Sequence, residues 1–116
     1  MKYAVAILAL LLPLHADPLP LVFKDDFSKG LENWQPTDDK KWTITKVGDS
    51  QVYELLGKSN YKPPHRSPHS ISLRKDVLVG SFELTARVQT THTTRGHRDL
   101  CFFFNYQGPA KFYYVH

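Results

Sequence analysis

Hydrophobic positions recur with a period of two along most of this chain, and turn-forming residues interrupt them at short intervals, the pattern of antiparallel strands. The clearest alternation runs over residues 80–89, with Phe82, Leu84, Ala86 and Val88 to one side and Ser81, Glu83, Thr85, Arg87 and Gln89 to the other. It predicts a strand with one buried and one wetted face. Residues 99–107 differ, because Leu100, Cys101, Phe102, Phe103 and Phe104 are apolar on both sides. That predicts a central strand covered on each face. Weaker alternation predicts strands over 21–27, 42–47, 51–56, 70–75 and 111–116. Gly48, Asp49 and Ser50 supply a hairpin turn between the strands at 42–47 and 51–56.

Two stretches, 29–41 and 57–68, break the alternation and read as loops. The second carries Pro63, Pro64 and Pro68, which withhold backbone donors and exclude helix, so an extended surface connection is expected. Nothing after residue 17 has a convincing helical period. The expected fold class is therefore all-β, an antiparallel β-sandwich.

Residues 1–16 depart from the strand pattern. Met1 and Lys2 make a short positive start, residues 3–12 are almost wholly apolar, Pro13 breaks the run, and Ala16 places a small residue at a cleavage position. This is the three-part layout of a secretory signal peptide. An apolar core of about ten residues is too short for a helix that spans a bilayer, which takes ~20. The expected location is thus secreted or periplasmic after cleavage, with no membrane anchor in the mature chain.

Without its signal the chain has the length of one small domain. It then carries 14 basic residues, the 15 of the whole chain less Lys2, against 11 acidic ones. So mild an excess, gathered in no recognisable module, argues against a nucleic-acid partner. The single cysteine, Cys101, excludes an intramolecular disulfide, so the domain must be held by its apolar core. Aromatic residues at 13% of the chain make such a core feasible.

The last residues, 111–116, run Lys-Phe-Tyr-Tyr-Val-His, and the sequence stops inside that strand pattern. An open aromatic edge is an aggregation hazard. The expectation is that 17–116 forms the N-terminal part of one β-sandwich domain that is incomplete at its C-terminus.

Four segments in order carry a resemblance: Phe23-Lys24-Asp25-Asp26-Phe27, then Leu31-Glu32-Asn33-Trp34, then Trp42-Thr43-Ile44, then Gly80-Ser81-Phe82-Glu83-Leu84. Together they resemble the opening of concanavalin A-like jelly-roll domains. More closely, they are similar to secreted bacterial laminin-G-like or 3-keto-disaccharide hydrolase-like domains. The resemblance implies a jelly-roll sandwich, carbohydrate as partner, and a structural calcium near Asp25 and Asp26. After Thr94, Arg95-Gly96-His97-Arg98-Asp99 stands where the hydrolase-like members have an asparagine-serine-glycine segment, so no active site carries over.

The candidate chemistry lies around residues 97–106. Strict alternation would put His97, Asp99, Cys101, Phe103 and Asn105 on one face and Arg98, Leu100, Phe102, Phe104 and Tyr106 on the other. Polar ends over an apolar floor suit a sugar, whose C–H faces need flat rings and whose hydroxyls need planar polar groups. Tyr113 or Tyr114, with His116, would extend that patch. The candidate ligand-binding residues are therefore His97, Asp99, Asn105, Tyr113 and His116. The plainer alternative is a local turn at His97 and Asp99 with Phe103 in the core.

Zinc is disfavoured, because Pro68 prevents the helix that would bring His65 and His69 together, and His92 and His97 complete no recognisable spacing. The catalytic residues of an enzyme cannot be named. Glycoside hydrolysis needs two carboxylates across a cleft, and neither Glu54 nor Glu83 has an evident partner. Cys101, flanked by Leu100 and Phe102, reads as a packing thiol, with a Cys101–His97 nucleophile pair as the alternative. Three readings follow: a carbohydrate-binding or carbohydrate-processing domain first, then a hydrolase of glycosides or 3-keto-disaccharides, then a structural or adhesive extracellular module.

Overall fold

The computed structural model describes residues 17–91, 93, 96 and 98–116. Among them are six short strands and no α-helix: β1 (Trp34–Pro36), β2 (Trp42–Val47), β3 (Ser50–Leu55), β4 (Ser72–Arg74), β5 (Phe102–Gly108) and β6 (Lys111–Val115). They pair as three antiparallel two-stranded sheets, β1 with β4, β2 with β3, and β5 with β6. A single 3-10 turn, Asp39–Lys41, leads into β2. The signal-peptide segment 1–16 lies outside the described residues. So do His92, Thr94, Arg95 and His97.

The β2–β3 hairpin forms where alternation and turn chemistry agree. Val47 pairs with Ser50, so Gly48 and Asp49 alone make the loop. Gly48 has φ +59°, the left-handed value that a hairpin's tight turn demands and glycine meets without strain. Its inner side carries Trp42 and Tyr53, with ring centroids 4.7 Å apart. Trp34 of β1 and Phe27 close on the same Tyr53 ring at 5.4 and 5.6 Å. This aromatic cluster joins the β1–β4 and β2–β3 sheets, and aromatic pairs at such spacings add ~0.5–1.5 kcal/mol each beyond their burial.

Polar contacts fix the cluster's borders. The Tyr53 hydroxyl bonds Ser72 Oγ of β4 at 2.7 Å. Trp34 Nε1 donates to Asp25 Oδ2 at 2.8 Å, and the other oxygen of Asp25 accepts from the Phe27 amide. Beyond β1, the Thr37 amide donates to the Ile71 carbonyl at 2.9 Å and the Ile71 amide returns a bond to Thr37 Oγ1. Ile71, 1% exposed, is the one fully buried hydrophobic side chain among the described residues.

Several expectations change. Residues 80–89 form no strand, and Phe82, Leu84 and Val88 are 46%, 49% and 63% exposed. Alternation prepares a strand, but a strand exists only where a neighbour accepts its ladder, and among the described residues none does. Residues 21–27 likewise form none. Asp25 and Asp26 instead turn the chain, each accepting an amide two residues on, and Phe27 takes φ +61°. The expected loop at 29–41 contains β1 and the 3-10 turn. Its partner β4 lies nearly forty residues away, beyond the reach of a local pattern.

The strand expected over 99–107 begins only at Phe102, and β6 is its sole neighbour among the described residues, so it is not central. The strands expected at 42–47, 51–56, 70–75 and 111–116 are present within one or two residues. The three sheets make a β-rich fold whose sheets remain two-stranded.

Candidate functional site

The candidate residues gather on the β5–β6 hairpin. Register pairs Phe102 with Val115, Phe103 with Tyr114 and Phe104 with Tyr113, then slips before Gly108 meets Lys111. The slip is a β-bulge. Asn105, at φ +49°, takes the left-handed conformation that asparagine tolerates better than most residues. Strict alternation would send Tyr106 to the Phe104 side. The bulge returns it to the side of Phe103, where its ring stacks on Phe112 at 5.9 Å and 13°.

Two faces result. On the inner one Phe103 meets Phe112 edge-on at 4.9 Å, and Phe103, Tyr106 and Phe112 are half-buried. Burial, with the Tyr61 hydroxyl as a second contribution, pushes the Tyr106 pKa up. On the outer face Phe104 stacks on Tyr113 at 5.7 Å and meets Phe82 edge-on at 6.2 Å. Phe102, Phe104, Tyr113 and Val115 stay exposed.

Of the candidate ligand-binding residues, Asn105 and Tyr113 line one open pocket of about 220 Å3 at the bulged end of the hairpin. Gln107, Ala110, Lys111 and Phe112 complete its wall. Gln107 and Lys111 were not singled out by the sequence, although each lies two residues from a residue that was. Asp99 and His116 meet at the opposite end, His116 Nε2 standing 3.5 Å from Asp99 Oδ1. The expected single face therefore divides into a pocket at the turn and the Asp99–His116 contact at the open end. His97 lies outside the described residues.

Several other polar groups serve local structure. Burial pushes the Cys101 thiol up, and the Asp99 carboxylate adds to the effect, as suits a packing cysteine. The Ser28 hydroxyl and amide hold Asp26 below the usual carboxylate range. Glu54 accepts the Thr45 hydroxyl across the β2–β3 hairpin. Both oxygens of Asp25 are engaged by Phe27 and Trp34. No group of three acidic, histidine or cysteine side chains with metal-holding geometry occurs among the described residues.

A second, larger groove of about 490 Å3 was not foreseen. Thr37, Asp38, Lys40, Asn60 and Tyr61 line it, where the extended 57–64 connection crosses the 3-10 turn. The Asn60 amide donates to Asp38 Oδ2 at 2.9 Å and ties the two segments together. Only the folded path of the connection reveals this meeting. Among the described residues no helix is long and apolar enough to cross a membrane. In comparisons with known proteins the chain matches no family model, no curated protein and no solved structure.

Proposed function

We propose that this chain is an exported β-sandwich domain of the jelly-roll type that binds carbohydrate through its β5–β6 hairpin. The observation that carries the reading is the convergence of Asn105, Gln107, Lys111 and Tyr113 in one open pocket. Two planar amides and an ammonium group offer hydrogen bonds to hydroxyls, while the Tyr113 ring, stacked on Phe104, offers a flat apolar surface to C–H faces. The short apolar leader at residues 3–12 is in keeping with a ligand met outside the cell.

Affinity electrophoresis of the full chain through gels containing soluble polysaccharides, together with a glycan array, tests this. At least one glycan should retard the protein, and Tyr113→Ala should weaken that binding about tenfold, the equivalent of ~1.4 kcal/mol. Lys46→Ala, on β2, should leave it unchanged. Absence of retardation in every gel and of any signal on the array would overturn the reading.

A further inference from the structure

We infer that the glycan taken by the β5–β6 pocket is acidic, a polysaccharide whose carboxylate or sulfate groups meet the Lys111 ammonium and the basic connection beside the hairpin. The inference rests on the carbohydrate reading above and narrows it to one class of ligand. Lys111 stands in the pocket wall with the planar amides of Asn105 and Gln107, and no acidic residue lines that pocket. Its register partner across the hairpin is Gly108, which sets no side chain opposite it. From Leu100 to His116 the sequence holds no aspartate or glutamate. A neutral hydroxyl can accept a hydrogen bond from the ammonium. An anionic group on the sugar also matches its charge, and such charge-assisted bonds are roughly twice as strong as neutral ones.

The surroundings carry the same sign. Of the 14 basic and 11 acidic residues after the leader, nine basic but only three acidic ones fall in 55–116, leaving five basic and eight acidic in 17–54. Lys58, Lys62 and Arg66, all exposed, lie on a run from 55 to 75 that contains no acidic residue. Tyr61 of that run stands near enough to Tyr106 to act on its hydroxyl, and Tyr106 stacks on Phe112, part of the pocket wall. The connection therefore reaches the hairpin on the pocket's side and brings its charge with it. A polymer of anionic sugars can use both features, with one charge at Lys111 and others along the connection. The flat Tyr113 ring and the two amides suit sugar C–H faces and hydroxyls, and the sequence holds no recognisable nucleic-acid module, so polysaccharide is the favoured polyanion.

Affinity electrophoresis of the full chain through matched gels tests the inference: polygalacturonate against its carboxyl-reduced form, and dextran sulfate against dextran. The charged member of at least one pair should bind about tenfold more tightly than its neutral counterpart, the first pair reading a carboxylate and the second a sulfate ester. That binding should weaken about tenfold between ~0.05 and ~0.5 M salt. Lys111→Ala should raise the Kd about tenfold, Lys111→Arg should recover most of the loss, and Lys62→Ala should raise it about threefold. Lys46→Ala, which removes the same charge from β2, should leave it unchanged. Circular dichroism verifies β structure in each variant, and the salt dependence of the wild type needs no variant at all. Equal or tighter binding of neutral glycans, in the gels or on the glycan array, overturns this inference and leaves carbohydrate binding standing. No binding in any gel or on the array overturns both. Unchanged affinity in Lys111→Ala, insensitivity to salt, or equally tight binding of double-stranded DNA also overturns the inference.

Discussion

Tyr53 is the residue on which the β2–β3 and β1–β4 sheets meet, because its ring touches Phe27, Trp34 and Trp42 while its hydroxyl reaches Ser72. Burial raises its pKa above the ordinary 10.0, and the Ser72 hydrogen bond only partly opposes that. The neutral phenol is thus favoured in the folded chain. A raised folded-state pKa contributes stability that is fully present below pH 10 and is lost as pH climbs through the folded value. Tyr53→Phe should cost about 1 kcal/mol at neutral pH through the lost hydrogen bond. It should also lose less stability than wild type between roughly pH 9 and pH 11, as read from urea unfolding at each pH. Asp25 illustrates what single residues conceal in a sequence. As one of two adjacent acids it suggests a cation, whereas in the fold one carboxylate oxygen holds an amide and the other an indole nine residues away.

At the scale of elements, the β5–β6 hairpin depends on a bulge that no periodicity announces. Asn105 at φ +49° decides that Tyr106 packs inward on Phe112. A β-branched residue there would be forced into the left-handed region against its Cβ, whereas glycine would be free of that strain. Asn105→Val should therefore destabilise the chain by ~1–2 kcal/mol in urea unfolding, and Asn105→Gly should stay within ~0.5 kcal/mol of wild type. If both variants proved equally stable, the bulge would not govern the hairpin. The β2–β3 hairpin needs no such device, since Gly48 marks its turn, and its strands lie within a residue of the limits that even their weaker alternation predicts. Residues 80–89 alternate more cleanly but meet no ladder partner among the described residues.

For the whole molecule, burial is concentrated where β1 to β4 meet, around Ile71 and the aromatic cluster. Residues 77–91 make no ladder, and Leu78 is 98% exposed. Protection against amide exchange should follow that division. Amides of β2, β3 and the Thr37–Ile71 pair should exchange slowest, those of β5 and β6 next, and those of 77–91 close to the rate of an unstructured chain. Hydrogen exchange read by mass spectrometry checks this, and slow exchange at 80–89 would show a strand pairing there.

The sequence alone determined the local features, because alternation, turn glycines and prolines act over a few residues. From them came the β-rich character, five of the six strands at least in part, the 48–49 turn and the irregular 57–68 connection. It also marked Asn105 and Tyr113, two of the residues in the candidate pocket. Tertiary structure decided whatever needed a distant partner: the pairing of β1 with β4, the absence of a ladder at 80–89, and the tie between Asp25 and Trp34. It also decided the candidate site's shape, since the left-handed residue at 105 and the slip in register beside it put Tyr106 on the side of Phe112. A period of two says which side chains share a face only while the ladder stays in register.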